Sequence, residues 1–407
     1  MQEPWSLHSP FGIHPPGNLF YETDPVVNKP VTPIRVAILD TGILSSHLAF
    51  FEKVVTWEDE EGDIFYGFDA CIDSAKKRGL PRDQHGHGTH IAGIIAGSPF
   101  LVKEIEVKKQ KANENDPDVF EKRVIDEATI RGVASMPDMV QLLICKNLHP
   151  GQNKDFIRRT LQCIQYARER GVQVINCSWG GAQDDDGEFS QTNLEELKNT
   201  FSNDYTLPSG KLAAPVVVVF AAGNLREGQA DEKRNKDIHQ SYPAGFPLSN
   251  AIAVASTNKK GNLAKDSYYG KQSIQISAPG VKIISTSCSG DQAYRLSSGT
   301  SMAAPHIAAA LALMRAQFPQ LSCEKLIEHL CEQADNTTLP LIPVQYGRLH
   351  LANALEKPTS IKTSLDTELD RYQKKLEEDR VLFLKKKQNQ NNSSSSSNRN
   401  NNTRDSI

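Results

Sequence analysis

The chain has 407 residues, of which 38% are hydrophobic and 23% are charged, and its formal net charge is −3. These values fit a globular chain with one large domain or two smaller ones. The small net charge gives no electrostatic basis for binding nucleic acid or a membrane surface, so we expect neither as a partner. No apolar run reaches about 18 residues, and a transmembrane helix is therefore not expected.

The N-terminal segment, residues 1–30, is rich in proline and irregular, which predicts an extended arm. Its first six residues lack the basic and apolar regions of a secretory signal peptide. The seven cysteines are widely spaced and odd in number, which favours reduced, mostly buried thiols over disulfides in an exported protein. We therefore expect a cytoplasmic protein, with secretion by a non-classical route as the alternative.

A main domain is predicted over residues 31–357, where short apolar runs alternate with helical patterns. Such alternation predicts an α/β fold with a mostly parallel central sheet and helices on both faces. The predicted strands are 34–39, 140–145, 172–176, 215–220, 251–255 and 274–277, and the predicted helices are 87–97, 157–170 and 301–318.

Charged segments interrupt or follow this domain. Residues 98–130 are predicted to be a surface insertion, a solvated and partly disordered loop. Residues 358–387 are predicted to be helical, and the narrow apolar seam in 363–387 either pairs with a partner helix or packs on the parent domain. The Asn/Ser-rich tail, 388–407, is predicted to be disordered.

Three small-residue segments carry an acid, a base and a hydroxyl in the order Asp40, His87, Ser301. This chain order is one of those known for a serine-protease triad. A serine hydroxyl needs a base within hydrogen-bond reach, and the base needs an acid to orient it. We therefore predict Ser301 as nucleophile, His87 as general base and Asp40 as its orienting acid. Taken singly, Asp40 would be read as a turn residue and Ser301 as a helix cap.

Two further features bear on this chemistry. Asn224 follows the apolar run 216–220, so its side-chain amide is predicted to face the oxygen on which charge develops, with a turn asparagine as the alternative. The three histidines His85, His87 and His90 also suggest a metal site, but their spacings lack the i,i+4 pair of a zinc-protease helix. We expect His90 to be a buried neighbour and His85 a loop residue, and the sequence leaves open whether any metal binds.

These segments, with 172–181, Tyr242-Pro243 and 277–280, resemble those of subtilisin-like serine proteases (subtilases) from about residue 34 to 355. The resemblance implies a three-layer fold and a serine endopeptidase that hydrolyses peptide bonds through an acyl-enzyme. It implies a peptide or protein substrate, bound as an added strand, and a cis bond before Pro243. It implies that the walls of the S1 cleft are formed by Ser178, Trp179 and Gly180 on one side and by Ala221, Ala222 and Gly223 on the other, with Ser241 at the bottom.

Some assignments stay open within this resemblance. Trp179 has the alternative of a core aromatic, and the acidic residues Asp231, Glu232 and Asp237 either face a basic P1 side chain or form a solvated loop. The chemistry is expected to need no cofactor. A structural calcium is left open, because the insertion 98–130 stands where many subtilases have a short calcium-binding loop. The alternative function is a latent or catalytically silent subtilase-fold scaffold that acts by binding partners.

Overall fold

A computed structural model gives the structure of residues 33–58, 64–72, 79–109, 119–135, 139–149, 155–182, 190–226, 228–337 and 341–356. The predicted N-terminal arm, the helical segment 358–387 and the tail 388–407 lie outside these residues. The chain divides into two units, Met1–Leu355 and Glu356–Ile407.

The described strands of the first unit are, in chain order, β1 (Ile34–Asp40), β2 (Trp57–Glu58), β3 (Ile64–Phe65), β4 (Gly67–Asp69), β5 (Phe100–Lys108), β6 (Phe120–Ile130), β7 (Val140–Lys146), β8 (Val174–Cys177), β9 (Gly181–Ala182), β10 (Val217–Ala221), β11 (Ser241–Tyr242), β12 (Ala251–Thr257), β13 (Ile276–Pro279), β14 (Ile283–Thr286), β15 (Tyr294–Ser297) and β16 (Gly347–Arg348). The described α-helices are α1 (His87–Ala96), α2 (Phe156–Glu169), α3 (Gln191–Phe201), α4 (Thr300–Gln317), α5 (Cys323–Glu332) and α6 (Leu351–Ala354).

Eight of the strands form a parallel central sheet in the order β16-β13-β12-β10-β8-β1-β7-β4. All five residues of β10 are buried, which is typical of a parallel strand covered on both faces. The α/β fold predicted from the alternating pattern is confirmed, and each predicted strand and helix corresponds to an observed one, with ends shifted by a few residues.

Helices cover both faces of this sheet. Ala37 and Leu39 of β1 share one core cluster with apolar residues of α2 and α3. Side chains alternate between the faces of a strand, so the intervening residues of β1 face the other way. There α1 and α4 contact each other as well as the sheet strands. The arrangement places β10, β8 and β1 side by side, with their carboxyl ends at one edge.

The expectation of a disordered loop at 98–130 is wrong for the described part of that segment. β5 and β6 form an antiparallel pair with a register shift between Val102 and Glu104, and β5 also joins β15. A small apolar cluster of Val102, Ile105, Ile130 and Tyr294 lies beneath the pair. The charged side chains occupy the exposed positions, which explains why the segment looked like a solvated loop. Residues 110–118, between the two strands, lie outside the described part.

Two smaller predictions are confirmed. All seven cysteines are unpaired, and five of them are buried. The Tyr242–Pro243 peptide bond is cis.

Candidate active site

Asp40 and His87 meet at the carboxyl edge of the sheet. Asp40 is the last residue of β1 and His87 the first of α1. The Nδ1 atom of His87 lies 2.8 Å from Oδ1 and 3.0 Å from Oδ2 of Asp40, and the backbone N–H of Thr41 donates to Oδ1 at 2.8 Å. The Asp40 side chain is 1% exposed and that of His87 is 20% exposed. A carboxylate on Nδ1 makes that nitrogen the donor, which leaves Nε2 free to accept a proton.

The pKa of His87 is raised above its usual value by the balance of three effects. Burial lowers the pKa, but the charge of Asp40 and its hydrogen bond to the ring raise it by more. The guanidinium of Arg295, 7% exposed, opposes the protonated form. The charge of Asp83 acts in the same direction as that of Asp40 but more weakly, so the protonated ring is stabilised mainly by Asp40.

Asp83 connects the loop after β1 to the start of α1, a role that the sequence did not indicate. Its Oδ1 accepts hydrogen bonds from the hydroxyl of Thr41 and the backbone N–H groups of His85 and Gly86, at 2.7–2.9 Å. Its Oδ2 accepts from the backbone N–H and the hydroxyl of Thr89. These bonds fix the two backbone segments that carry Asp40 and His87 relative to each other.

Ser301, in the first turn of α4, is bonded to the strand beside β1. Its hydroxyl donates to the carbonyl of Ser178 at 2.8 Å, and the Ser178 hydroxyl donates to the carbonyl of Ser301 at 2.9 Å. Ile38 of β1 pairs with Asn176 of β8, so Ser178 lies level with Asp40, two positions further along. The structure thus brings Ser301 to the edge where Asp40 and His87 meet.

Pro305 explains why the carbonyl of Ser301 accepts a side-chain hydrogen bond. In an α-helix that carbonyl would accept from the backbone N–H four residues later, which is residue 305. Proline has no such N–H, and the Ser178 hydroxyl takes its place. Asn176 in turn donates to the Ser178 oxygen at 2.9 Å, so this hydroxyl is fixed from both sides.

Asn224 lies against the start of α4. Its Oδ1 accepts from the backbone N–H of Thr300 at 3.1 Å and from its hydroxyl at 2.8 Å, while its Nδ2 donates to Asp266 at 2.8 Å. A Cβ placed on Gly299 would lie 3.8 Å from both the Asn224 Nδ2 and the Ser301 backbone nitrogen. Gly299 has a φ of 144°, a conformation that side chains disfavour. The side-chain amide of Asn224 and the backbone N–H of Ser301 therefore border one small space. A side chain at position 299 would enter this space, and glycine leaves it open.

The backbone segments predicted as cleft walls lie close together. A Cβ on Gly180 would lie 3.3 Å from the carbonyl of Tyr242 and 3.8 Å from that of Ala221. β9, which follows Gly180, pairs with β11, which contains Ser241. Ala222 is buried in the core cluster, and Gly223 packs against the ring of Tyr268. The predicted walls and floor thus form one contiguous region.

The side chain of Trp179 matches the core-aromatic alternative. The residue is 8% exposed, its indole N–H donates to the carbonyl of Leu39 at 2.8 Å, and its ring packs edge-on against Phe156 with centroids 4.9 Å apart. A substrate contact by Trp179 is therefore limited to its backbone or the small exposed part of the ring.

The neighbouring histidines do not form a metal cluster. The buried His90 directs Nε2 at the carbonyls of Ile283 and Arg295, each at 3.2 Å, whereas His85 is exposed. Within the part of the chain that the structure describes, no group of three or more His, Cys, Asp or Glu side chains is arranged to hold a metal ion. The strands β5 and β6 lie in the segment 98–130, which stands where the resemblance implies a short calcium-binding loop in many subtilases.

The described helices include none that is both long enough and apolar enough to span a bilayer.

Comparison with known proteins agrees with this arrangement. Residues 32–354 match the model of the subtilase family. The chain is 32% identical over 309 residues to the major intracellular serine protease of Bacillus subtilis, covering 76% of each chain, and 29% identical over 316 residues to an intracellular serine protease of Paenibacillus polymyxa, covering 76% and 74%. A solved cold-adapted subtilisin-like serine proteinase superposes with a TM-score of 0.53 at 21% identity, over 79% of this chain and 90% of that one.

The family match spans most of the chain, and the three-layer fold and the alignment with known serine proteases agree with it. The chain therefore belongs to the subtilase family of serine-type endopeptidases.

Proposed function

We propose that this protein cleaves peptide bonds with Ser301 as nucleophile, His87 as general base and Asp40 as the acid that orients His87. The observation that carries the proposal is the Asp40–His87 hydrogen bond, 2.8 Å long, at the sheet edge where α4 presents Ser301. A buried carboxylate on one ring nitrogen prepares the other nitrogen to take a proton.

The first half of the reaction forms an acyl-enzyme. The Ser301 hydroxyl turns from the carbonyl of Ser178 to Nε2 of His87 and attacks the scissile carbonyl as its proton passes to the ring. His87 then gives this proton to the leaving amine, and the peptide C–N bond breaks. In the second half, water attacks the ester carbonyl while His87 takes one of its protons. His87 then gives this proton to the Ser301 oxygen as the ester C–O bond breaks and the acid product leaves.

The oxyanion of each tetrahedral intermediate is stabilised at the space beside Gly299. An asparagine amide carries two hydrogens, and Asn224 donates one to Asp266. We assign the second, with the backbone N–H of Ser301, to the oxyanion. The N-terminus of α4 adds a favourable dipole at the same point.

The reaction as proposed uses side chains, backbone groups and water, and it needs no cofactor. Substrate is proposed to lie as an extended strand between the 178–180 and 221–223 segments. We place the protein in the cytoplasm, because the two relatives described above are named as intracellular proteases and the seven thiols are unpaired.

A fluorophosphonate probe tests the assembled site, because it reacts only with an activated serine. Intact mass should show one adduct on the wild-type protein and none on Ser301→Ala. Ser298→Ala provides the matched control, since Ser298 is an exposed serine three residues away, and it should label like the wild type. Peptidase activity should fall about 10⁶-fold in Ser301→Ala, a magnitude taken from subtilisin. It should fall about 10²–10³-fold in kcat in Asn224→Ala, again by analogy with subtilisin.

The result that contradicts the proposal is a folded wild-type protein that takes up no probe, or a Ser301→Ala variant that still labels. The first of these outcomes would favour the silent scaffold as the function.

A further inference from the structure

A buried lysine lies on the loop between β10 and β11. Lys236 is 3% exposed, and its ammonium lies 3.5 Å from the centroid of the Tyr268 ring. Burial, together with repulsion from Lys233, lowers the pKa of Lys236 to about 8, so most of it is still charged at neutral pH. Among the described residues, no carboxylate lies within ion-pair distance of this ammonium.

Lys236 and Ser241 line one cavity of about 180 Å³, together with Gln240, Gln272 and Gly245. The hydroxyl of Ser241 is buried and has no hydrogen-bond partner among the described residues. Both groups are costly to bury: an ammonium that has an aromatic face but no carboxylate beside it, and a hydroxyl without a hydrogen-bond partner. A ligand with acceptor oxygens would satisfy both.

Asp237 also lines this cavity, but its carboxylate is already satisfied. Oδ1 accepts from the backbone N–H groups of Gln272 and Ser273 and from the Ser273 hydroxyl, at 2.8–3.0 Å. Oδ2 accepts from the N–H of Lys271 at 2.7 Å. Burial opposes the ionisation of Asp237, but these hydrogen bonds outweigh it and lower the pKa, so the carboxylate stays charged. Asp231, another acidic residue of this loop, forms an ion pair with Arg234, with 2.9 Å between its Oδ1 and the Arg234 Nη1. Among the described residues that line the cavity, the buried groups that lack an acceptor are the Lys236 ammonium and the Ser241 hydroxyl.

The cavity adjoins the cleft walls. Ser241 belongs to β11, which pairs with the strand that follows Gly180. Tyr268, against whose ring Lys236 lies, packs on Gly223 of the opposite wall and donates its backbone N–H to the Gly223 carbonyl at 2.9 Å. A side chain that enters between the two walls would therefore point toward Ser241 and Lys236.

We propose that this cavity is the end of the P1 pocket and that it selects glutamate. The glutamate carboxylate would pair with the Lys236 ammonium and accept a hydrogen bond from the Ser241 hydroxyl. The inference rests on the proposed peptidase function. Glutamate is one methylene longer than aspartate, so its carboxylate extends further between the walls. Binding would give both hydrogen-bond donors an acceptor at once, whereas a lysine or arginine at P1 would bring further donors to groups that need acceptors.

The test is the hydrolysis of peptides that differ only at P1, with Glu, Gln, Leu or Lys at that position. Wild-type kcat/KM should be at least about tenfold higher for Glu than for Gln, because the glutamine carbonyl accepts weaker hydrogen bonds from the buried ammonium than a charged carboxylate does. Lys236→Met should lower kcat/KM for Glu by about 10–100-fold and change that for Leu by less than about threefold. Ser241→Ala should also lower kcat/KM for the Glu peptide, by a smaller factor than Lys236→Met does.

Lys260→Gln is the matched control, since Lys260 is an exposed lysine that does not line the cavity, and it should leave all four rates unchanged. Lys236→Arg keeps the cation and should retain part of the Glu preference, which covers the case in which Lys236→Met folds poorly. Equal rates for Glu and Gln in the wild type would overturn the inference, as would a proportional loss for all peptides in Lys236→Met.

Probe labelling separates the two levels of failure. A wild-type protein that labels with fluorophosphonate but shows no Glu preference contradicts only the P1 assignment. A protein that neither labels nor cleaves any peptide contradicts the peptidase function itself.

Discussion

At the scale of single residues, the basicity of His87 depends on one carboxylate. Burial alone would make the ring hard to protonate, and Arg295 adds to that effect. Asp40 reverses the balance and raises the pKa. Since His87 must be neutral to accept a proton, activity should fall as the pH is lowered through a pKa above the usual histidine value of about 6.5.

Asp40→Asn should lower the pKa of His87 below its usual value, because burial and Arg295 remain while the opposing charge is lost. The acid limb of the kcat/KM profile should move to lower pH, and the maximal rate should drop by about 10⁴-fold. A pH–rate profile measures the position of the acid limb. NMR titration of the His87 ring in the Ser301→Ala protein measures its pKa without turnover. An acid limb that stays in place would show that Asp40 does not control His87.

The residues proposed for the reaction could be picked out in the sequence because each stands in a distinctive local context, as His87 does before Gly88. The residues that position them, and those that line the proposed P1 pocket, could not be picked out in the same way. Asp83 gathers its donors from two segments, and the burial of Lys236 depends on Tyr268, more than thirty positions away. Such partners are set by tertiary packing, which leaves no local pattern.

At the scale of elements, α4 has Pro305 at the position whose backbone N–H would otherwise donate to the carbonyl of Ser301 in the first turn. The Ser178 hydroxyl from the end of β8 replaces the missing N–H of Pro305 at the carbonyl of Ser301. The bond therefore attaches the helix that bears the nucleophile to the strand beside Asp40. It couples the position of a catalytic group to the packing of helix against sheet.

Ser178→Ala should lower the free energy of unfolding by about 1 kcal/mol, because it leaves the partly buried carbonyl of Ser301 without its donor. Pro305→Ala restores a backbone N–H four residues after Ser301, so it should recover part of this loss in the double variant while gaining less in the wild-type background. Urea unfolding of the four proteins measures the coupling between the two changes. Strict additivity, within about 0.5 kcal/mol, would show that the two groups do not serve the same carbonyl.

Element prediction succeeded where burial was strongest. Strands such as β10 consist of apolar residues because both of their faces are covered, and this pattern is visible in the sequence. The pair β5 and β6 buries only a few side chains and presents its charges to solvent, so its composition matched that of a loop. The helix α3 was not predicted, although the helical spacing of its buried residues Leu194, Leu197 and Phe201 is a signal that the sequence carries.

At the scale of the whole molecule, every residue assigned to the reaction lies in the unit Met1–Leu355. A chain ended after Glu356 should therefore keep kcat/KM within about threefold of the full-length value, or roughly 0.7 kcal/mol of transition-state free energy. Peptide hydrolysis and light scattering of the two proteins provide the comparison. A large loss of activity, or a change in oligomeric state, would assign a functional role to the segment 363–387 and its apolar seam.

The wide separation of the catalytic groups along the chain has a consequence for how the protein is made. Asp40 and His87 leave the ribosome early, whereas Ser301 follows only after roughly 10–40 s at usual rates of synthesis. Until α4 has emerged and docked beside Ser178, the growing polypeptide has an acid and a base but no nucleophile. If Ser301 is the nucleophile, as proposed, a chain interrupted before this residue can cut neither its neighbours nor itself.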